Sequence, residues 1–490
     1  MLLASLADLK GLRLDLAPLV VDLDGTLIQT DMLHETALRL LRDRPFDVLR
    51  IPFWLAGGKA GLKRKLADRA SFDPGSLPYH ADFLAWLHGQ RDLGRRLVLC
   101  TASDHAIAEA IATHLGIFDD VLASDGQSNL SGRHKAEALV ERYGASGFDY
   151  AGNAPADLVV WESARRAIVV NADARLVEQA SHCCEVERVF APTRMGLTAW
   201  WRVLRVHQWL KNTLLFVPAL AAHQISDVGT WTSLLLAFCA FSLCASAVYI
   251  ANDLLDLESD RQHPRKFLRP FASGWVPVWM GVLLAPVLLI AGIGIAGWVG
   301  GNFRAWLLVY FALTCAYSWG LKRLLLIDCL TLAVLYTLRV VAGAAAAGLS
   351  LSFWLLAFSV FLFLSLAFVK RYAELQLQLL HGKQSLHGRG YHTSDASMIQ
   401  MQGMASGYAA VLVLALYLNS EAVLQLYRTP ELVWGAVLAV LFWINWMWMQ
   451  AHRGLMHDDP LVFAVKYKAS LAAGVVVAAS MGVGALGWPW

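Results

Sequence analysis

From Met1 to about Arg194 the apolar runs are short and broken by charge, whereas from Trp200 onward long apolar stretches are separated by brief polar ones. The first pattern predicts a soluble α/β domain. Ala17–Leu27, Arg96–Cys100 and the stretch leading into Ala151 read as buried strands running into turns, and Asp31 to about Tyr79 reads as a helical insert. The second pattern predicts an all-α bundle in a bilayer, where each span needs on the order of 20 apolar residues. About nine segments are read as span cores, several of them shorter than a full span: Trp209–Ala222, Trp231–Ile250, Trp275–Val299, Trp306–Trp319, Leu324–Gly348, Leu351–Val369, Tyr408–Leu418, Leu432–Met447 and Ser470–Trp488. Tryptophans near many of their ends are expected as interfacial anchors. Two domains follow, 1–195 and 196–490.

Composition agrees with that division. An apolar fraction of 57% with 16% charged residues is too oily for an ordinary soluble protein. The net charge of +3 by itself argues neither for nor against nucleic acid, and no nucleic-acid partner is expected. The seven cysteines are scattered, with Cys183 and Cys184 adjacent and Cys239, Cys244, Cys315 and Cys329 inside apolar runs. No disulfide framework or metal-binding CxxC pair is expected, and the soluble part suits a reducing compartment. No cleaved leader is read at the N-terminus.

Basic residues gather in alternate loops. Arg261, Arg265, Lys266, Arg269, Lys322, Arg323, Lys370, Arg371, Lys383, Arg389, Arg453, Lys466 and Lys468 follow even-numbered segments, while the opposite loops offer little beyond Arg304 and Arg428. The positive-inside rule makes the first set cytoplasmic, together with the N-terminal domain, in a membrane of the bacterial inner type.

The chemistry begins with two carboxylates two positions apart, Asp22 and Asp24 of Asp-Leu-Asp-Gly-Thr, at a strand end before a tight turn. Farther on come Thr101 after a second strand, Lys135 opening a helical stretch, and Asn153 to Asp157 after a third. In this order the motifs resemble those of the haloacid dehalogenase superfamily, over about Pro18 to Leu176. The resemblance implies a doubly wound fold with active residues at the carboxyl ends of strands and a small helical cap at about 31–79. It implies Asp22 as the nucleophile forming an aspartyl-phosphate and Asp24 as general acid and base. Thr101 and Lys135 would hold phosphoryl oxygens, with Mg²⁺ among Asp22, Asp24, Asn153 and Asp157. Asn153 stands where that family carries an acid.

The membrane part has a denser cluster. Asn252-Asp253-Leu254-Leu255-Asp256-Leu257-Glu258-Ser259-Asp260 lies at the end of the second segment. On one helix Asn252, Asp256 and Asp260 are four apart and Asp253 is three before Asp256, so all four are expected on one face. Like charges so placed repel unless a divalent cation joins them. Lys266 and Arg269-Pro270 follow, suited to phosphate charge.

This pattern resembles the signature of the UbiA superfamily, from about Leu204 to near the C-terminus. The resemblance implies nine transmembrane helices and Mg²⁺-dependent transfer involving a diphosphate leaving group and a polyprenyl lipid. A second motif is Tyr317-Ser318-Trp319-Gly320-Leu321-Lys322, then Asp328. Arg205 to Asn212, His263 to Gly274, and Lys370-Arg371-Tyr372-Ala373-Glu374-Leu375 look like decaprenyl-phosphate phosphoribosyltransferases. That implies transfer of 5-phosphoribose from phosphoribosyl diphosphate to a polyprenyl phosphate. Asn252, Lys211, Lys266, Arg269, Tyr317, Lys322, Asp328, Arg339, Lys370 and Arg371 would serve binding, and Asn252, Asp253, Asp256 and Asp260 would hold Mg²⁺. Arg339, deep in the fifth apolar segment, is read as a ligand contact, with pairing to an acid such as Asp328, or snorkelling, as the alternatives. His452-Arg453 and His457-Asp458-Asp459-Pro460, before the last helix, are read as a polar loop, with a gate as the alternative.

The fusion suggests that the phosphatase removes the 5-phosphate of the product. An aromatic prenyltransferase using a polyprenyl diphosphate, and a non-catalytic scaffold or transporter, are the competing readings. A homo-oligomer stays open.

Overall fold

The computed structural model describes residues 17–192, 196–224, 226–263, 265–382, 389–456 and 459–487. The first sixteen residues, the expected junction at 193–195, Lys383, His457, Asp458 and Trp488 lie outside the described residues. The chain forms two compact units, Met1–Val203 with Ile250–Leu284, and Leu204–Tyr249 with Ala285–Trp490.

In the first unit six parallel strands make one sheet: β1 Leu19–Val21, β2 Leu97–Asp104, β3 Asp120–Ser124, β4 Asp149–Gly152, β5 Arg166–Val170 and β6 Glu185–Phe190. Their order is β3-β2-β1-β4-β5-β6, with β1 between β2 and β4. The apolar runs of β1 and β5 are almost wholly buried because helices cover both faces. Side chains alternate accordingly: Leu19, Leu97 and Ile168 join one core, Val20, Val98 and Val169 the other. Edge strand β6 carries Glu185, Glu187 and Arg188 outward, which discourages further pairing. Asp149, fully buried in β4, is paired with Arg95 and Arg165.

Between β1 and β2 lies the expected cap, built from helices Met32–Asp43, Ile51–Ala56 and Lys59–Ala67 with short turns of 3₁₀-helix. The strand order reverses direction at β1, and clefts open at the carboxyl ends of strands beside such a switch.

The membrane part is helical, as expected, but the number of spans differs. Seven helices are long and apolar enough to cross a bilayer among the described residues: Val228–Leu255, Val278–Val299, Ile327–Ala346, Phe353–Leu380, Thr393–Tyr417, Pro430–His452 and Lys468–Leu486. Two of the nine expected spans are not among these seven, each for a physical reason. Trp209–Ala222 is broken into a 3₁₀ stretch, Val206–Phe216, and a five-residue helix with Pro218 in its first turn. The fourth, helix Gly301–Trp319, carries Asn302 and Arg304 and falls short in hydropathy.

Without a hydrophobic driving force between helices in lipid, close packing needs small residues. Gly403 and Gly407, one turn apart, provide it. A Cβ at Gly403 would lie 2.2 Å from the Trp448 ring, and Ser365 Oγ donates to the Gly403 carbonyl at 2.7 Å. At Gly343 a Cβ would come within 2.1 Å of the Leu215 carbonyl oxygen, so this glycine seats the 3₁₀ stretch against helix Ile327–Ala346.

Candidate active sites

The turn after β1 delivers Asp22 and Asp24 to the same side, because side chains alternate and Leu23 turns into the core. Asp22 accepts from the Lys135 ammonium at 2.6 Å, and that ammonium also donates to the Tyr150 hydroxyl at 2.9 Å. Asp24 accepts from the Met32 N–H at 2.8 Å and the Ser103 hydroxyl at 2.7 Å. Gly25 has φ +76°, and a Cβ there would lie 2.1 Å from Asn153 Nδ2, so both backbone and space demand glycine.

Burial drives both acids upward. It raises Asp22 to about 6, with Asp157 adding to the rise and Lys135 opposing it. It raises Asp24 to about 7, helped by the charges of Asp31 and Asp22. Carboxylates held this close to neutrality at physiological pH are short of positive charge.

The other expected residues take distinct places. Thr101 is fully buried and its oxygen accepts the Ser103 N–H at 3.0 Å, while Ser103, not singled out in the sequence, reaches Asp24. Asp157 sits one layer back: it accepts the N–H groups of Asn153 and Ala154, each at 2.9 Å, and the Tyr150 hydroxyl at 2.8 Å. It thereby shapes the loop that presents Asn153. The cap adds Lys63, also overlooked in the sequence, which donates to the Ala102 carbonyl at 2.6 Å. Burial lowers the Lys63 ammonium, with Asp24 and Asp31 opposing that fall.

Oxygen donors from two carboxylates, an amide and a backbone carbonyl suit a hard cation such as Mg²⁺. Among the described residues no group of three or more His, Cys, Asp or Glu side chains forms a metal cluster. A cation would therefore depend on the neutral oxygens of the Asn153 amide and the Asp24 carbonyl.

The acid motif departs from the expected single helix face. The helix ends at Leu255, Asp256 forms the joint at φ −97° and ψ 11°, and a short helix Leu257–Gln262 follows. What gathers the acids is Arg269. Its Nη1 lies 3.0 Å from Asp253 and also pairs with Asp260, and Lys266 is 3.9 Å from Asp260. Burial still holds the Asp260 carboxyl above its ordinary range despite that arginine. Two acids bridged by one guanidinium mark a place where positive charge is wanted, which fits a divalent cation with oxygen ligands.

In the second unit the expected binding residues fall into three groups. Lys211 and Lys370 meet on Asp459, at 2.7 and 3.5 Å, and the Tyr336 hydroxyl donates to the same carboxylate at 3.1 Å. Burial opposes ionisation of Asp459, but Lys211 and Lys370 hold its carboxyl well below the usual range. The residue read as part of a polar loop is thus an organising centre. Its Asp-Pro start is a helix-capping signature visible in the sequence, and it accepts the Leu461 N–H at 3.3 Å.

Asp328 forms the second group. It pairs with Arg371 at 2.6 Å and Arg389 at 3.2 Å and accepts the Tyr391 hydroxyl, while Glu374 takes the other sides of both arginines. Tyr317 joins through Arg389 at 3.3 Å. Arg339 stands apart from Asp328, so the alternative pairing does not occur. Its guanidinium donates to Asn212, Tyr310 and the Leu335 carbonyl at 3.0, 3.0 and 2.6 Å, between the rings of Phe241, Tyr310 and Tyr336. Those neutral oxygens occupy its forks and make it a brace for the 3₁₀ stretch. Lys322 lies half-buried in the turn Leu321–Arg323.

An α/β phosphatase-like fold followed by apolar helices with an acid-rich motif defines a two-part membrane enzyme, and comparison with known proteins gives each part its class. The chain belongs to the UbiA prenyltransferase family, which residues 213–484 match, and residues 19–160 match the haloacid dehalogenase-like hydrolases. It is 39% identical to protein y4nM of Sinorhizobium fredii, over 94% of this chain and 90% of that one. It is 40% identical to nodulation protein NoeC of Azorhizobium caulinodans, over 54% of this chain and 87% of the relative. The decaprenyl-phosphate phosphoribosyltransferase of Mycolicibacterium smegmatis is 37% identical over 39% of this chain, which spans 62% of that relative.

Proposed function

We propose that the membrane part transfers 5-phosphoribose from phosphoribosyl diphosphate to a polyprenyl phosphate, and that the N-terminal domain, bounded near residue 195, hydrolyses the 5-phosphate of the product. The observation that carries the transferase reading is Arg269 bridging Asp253 and Asp260. The likeness to decaprenyl-phosphate phosphoribosyltransferases supports the choice of donor. Both sites lie on the cytoplasmic side in this reading, on the strength of the basic loops.

In the transfer, the bond from the anomeric carbon to the diphosphate oxygen breaks and a lipid phosphate oxygen bonds to that carbon, releasing diphosphate. Asn252, Asp253, Asp256 and Asp260 would hold Mg²⁺, which neutralises the leaving diphosphate when bound. Arg269 and Lys266 take its remaining charge. Lys211 and Lys370, two cations on the single acid Asp459, hold a second anionic group, the lipid phosphate.

In the hydrolysis, Asp22 attacks phosphorus to form an aspartyl-phosphate while Asp24, protonated near neutral pH, gives its proton to the leaving alkoxide. Asp24 then takes a proton from water as that water attacks the phosphoryl group and Asp22 is released. Lys135 and Lys63 hold the phosphoryl oxygens. Mg²⁺ in this site would rest on Asp22, Asn153 and the Asp24 carbonyl.

The test offers purified protein phosphoribosyl diphosphate with polyprenyl phosphate, and separately polyprenyl diphosphate with 4-hydroxybenzoate. A ribosylated lipid from the first mixture, reduced by roughly 10²-fold or more in Asp256→Asn, is expected. A prenylated aromatic from the second mixture alone would replace the donor assignment with a prenyl one.

A further inference from the structure

The first unit contains a cavity of about 570 Å³ whose walls differ in chemistry. One wall is the mouth of the phosphatase-like site, with Asp24, Asp31 and Asn153. The other is Trp275, Val278 and Trp279, where the chain enters the apolar helix Val278–Val299.

The two walls are held together by specific contacts within this unit. Gly274, at φ +77°, packs so tightly on Gln29 that a Cβ would meet its Cβ at 2.6 Å and its carbonyl oxygen at 2.8 Å. Arg261 makes a two-pronged ion pair with Glu35, at 2.7 and 3.2 Å, and both side chains are almost wholly buried. Glu35 also accepts the Thr30 hydroxyl at 2.8 Å, and Thr30 itself lines the cavity. Arg39 adds a pair to Glu258 at 3.3 Å. The aromatic wall is thus a fixed part of the cavity.

We infer that this cavity takes a phosphate monoester carried on an isoprenoid lipid headgroup, with the phosphate toward Asp24 and the lipid-proximal part of the molecule against Trp275 and Trp279. The inference rests on the phosphatase reading above and adds the residues that select a lipid-borne ester over a soluble one, Trp275 and Trp279. A phosphate gains nothing from indole, proline and valine, so that wall serves a less polar part of the substrate. Tryptophans at the entry to a spanning helix sit at headgroup level, where a lipid carrier would present its sugar phosphate. A small soluble ester would leave the wall in water. Trp279 is 47% exposed and free to make the contact.

The experiment uses the full chain in phosphatidylcholine nanodiscs and compares phosphate release from farnesyl-phosphoryl ribose 5-phosphate and from p-nitrophenyl phosphate. Trp279→Ala is expected to lower kcat/KM for the lipid ester by roughly tenfold, about 1.4 kcal/mol, and to leave the soluble ester within about twofold. Trp298→Ala, at the far end of the same helix, is expected to change neither. Equal loss on both esters in Trp279→Ala, or no loss on the lipid ester, overturns the inference while the phosphatase reading stands. Release from neither ester that depends on Asp22 overturns that reading and this one with it.

Discussion

Asp24 and Asp459 are both buried carboxylates with lysines nearby, yet their surroundings push them in opposite directions. Burial first, and then the charges of Asp31 and Asp22, push the Asp24 carboxyl up to about 7, and Asp157 adds to the rise of Asp22. Around Asp459 two lysines face one acid, and its carboxyl is driven down. The first site lacks positive charge and the second has it in excess. A site of the first kind is completed by a cation, and one of the second kind by an anion such as a phosphate. The Asp328 group differs from both. Asp328 and Glu374 balance Arg371 and Arg389, so the cluster closes on itself and is best explained as structure.

The sharpest way to break this comparison is at the nucleophile. If Asp22 is the group that takes the phosphoryl, Asp22→Asn is expected to lower phosphate release by about 10³-fold or more, because an amide cannot form and release the acyl-phosphate. Release measured from the full chain with a soluble ester checks it. Activity within about tenfold of the native protein would leave the acid surplus without a catalytic role.

Next comes the balanced cluster. Asp328→Ala leaves Arg371, which has no exposed side-chain surface, with only Glu374 to offset its charge. Breaking a buried pair by removing one member costs about 3–5 kcal/mol. Thermal unfolding in detergent is expected to shift down accordingly, and added diphosphate should not restore it. Recovery with diphosphate would mean that Arg371 is an anion site after all, as the sequence pattern suggested.

These contrasts also explain what was legible in the sequence. Asp22, Asp24 and Asn153 could be read because each sits in a short motif just after a strand, and the parallel order of strands then brings those ends together, while Lys135 was legible as the start of the helix Arg133–Tyr143. Ser103, two positions after Thr101, was given no role because Thr101 drew it. The membrane clusters were only half legible. Lys211 and Asp459 are 248 positions apart, and Tyr336 and Asp459 are 123 apart, so no local pattern could join them. The four-residue spacing from Asn252 to Asp260 predicted one helix face, but the joint at Asp256 left the gathering to Arg269, nine residues beyond Asp260. At Trp209–Ala222 the apolar composition suggested a span, while the backbone forms a 3₁₀ stretch and a short helix. Arg339 was noticed for the correct reason, the expense of a buried guanidinium, but its partners turned out to be neutral oxygens.

The smallest effect tests the charge argument most directly. Asn153 lies against Gly25 with its backbone N–H on Asp157, so Asn153→Asp changes charge with almost no change of shape. If the site is short of positive charge, a further carboxylate should tighten a divalent cation and weaken the metal-free protein. We expect the Mg²⁺ concentration for half-maximal phosphate release to fall by roughly tenfold, since ligand charge is a main determinant of affinity for hard cations. In a chelator the same variant should unfold at lower temperature, because Asp22 and Asp24 already repel one another and a third charge adds to that. An unchanged Mg²⁺ requirement would place the cation away from residue 153. The Asp22 and Asp24 pair would then have to be relieved by Lys63 and Lys135 alone, and the contrast with Asp459 would reduce to a difference in the number of acids.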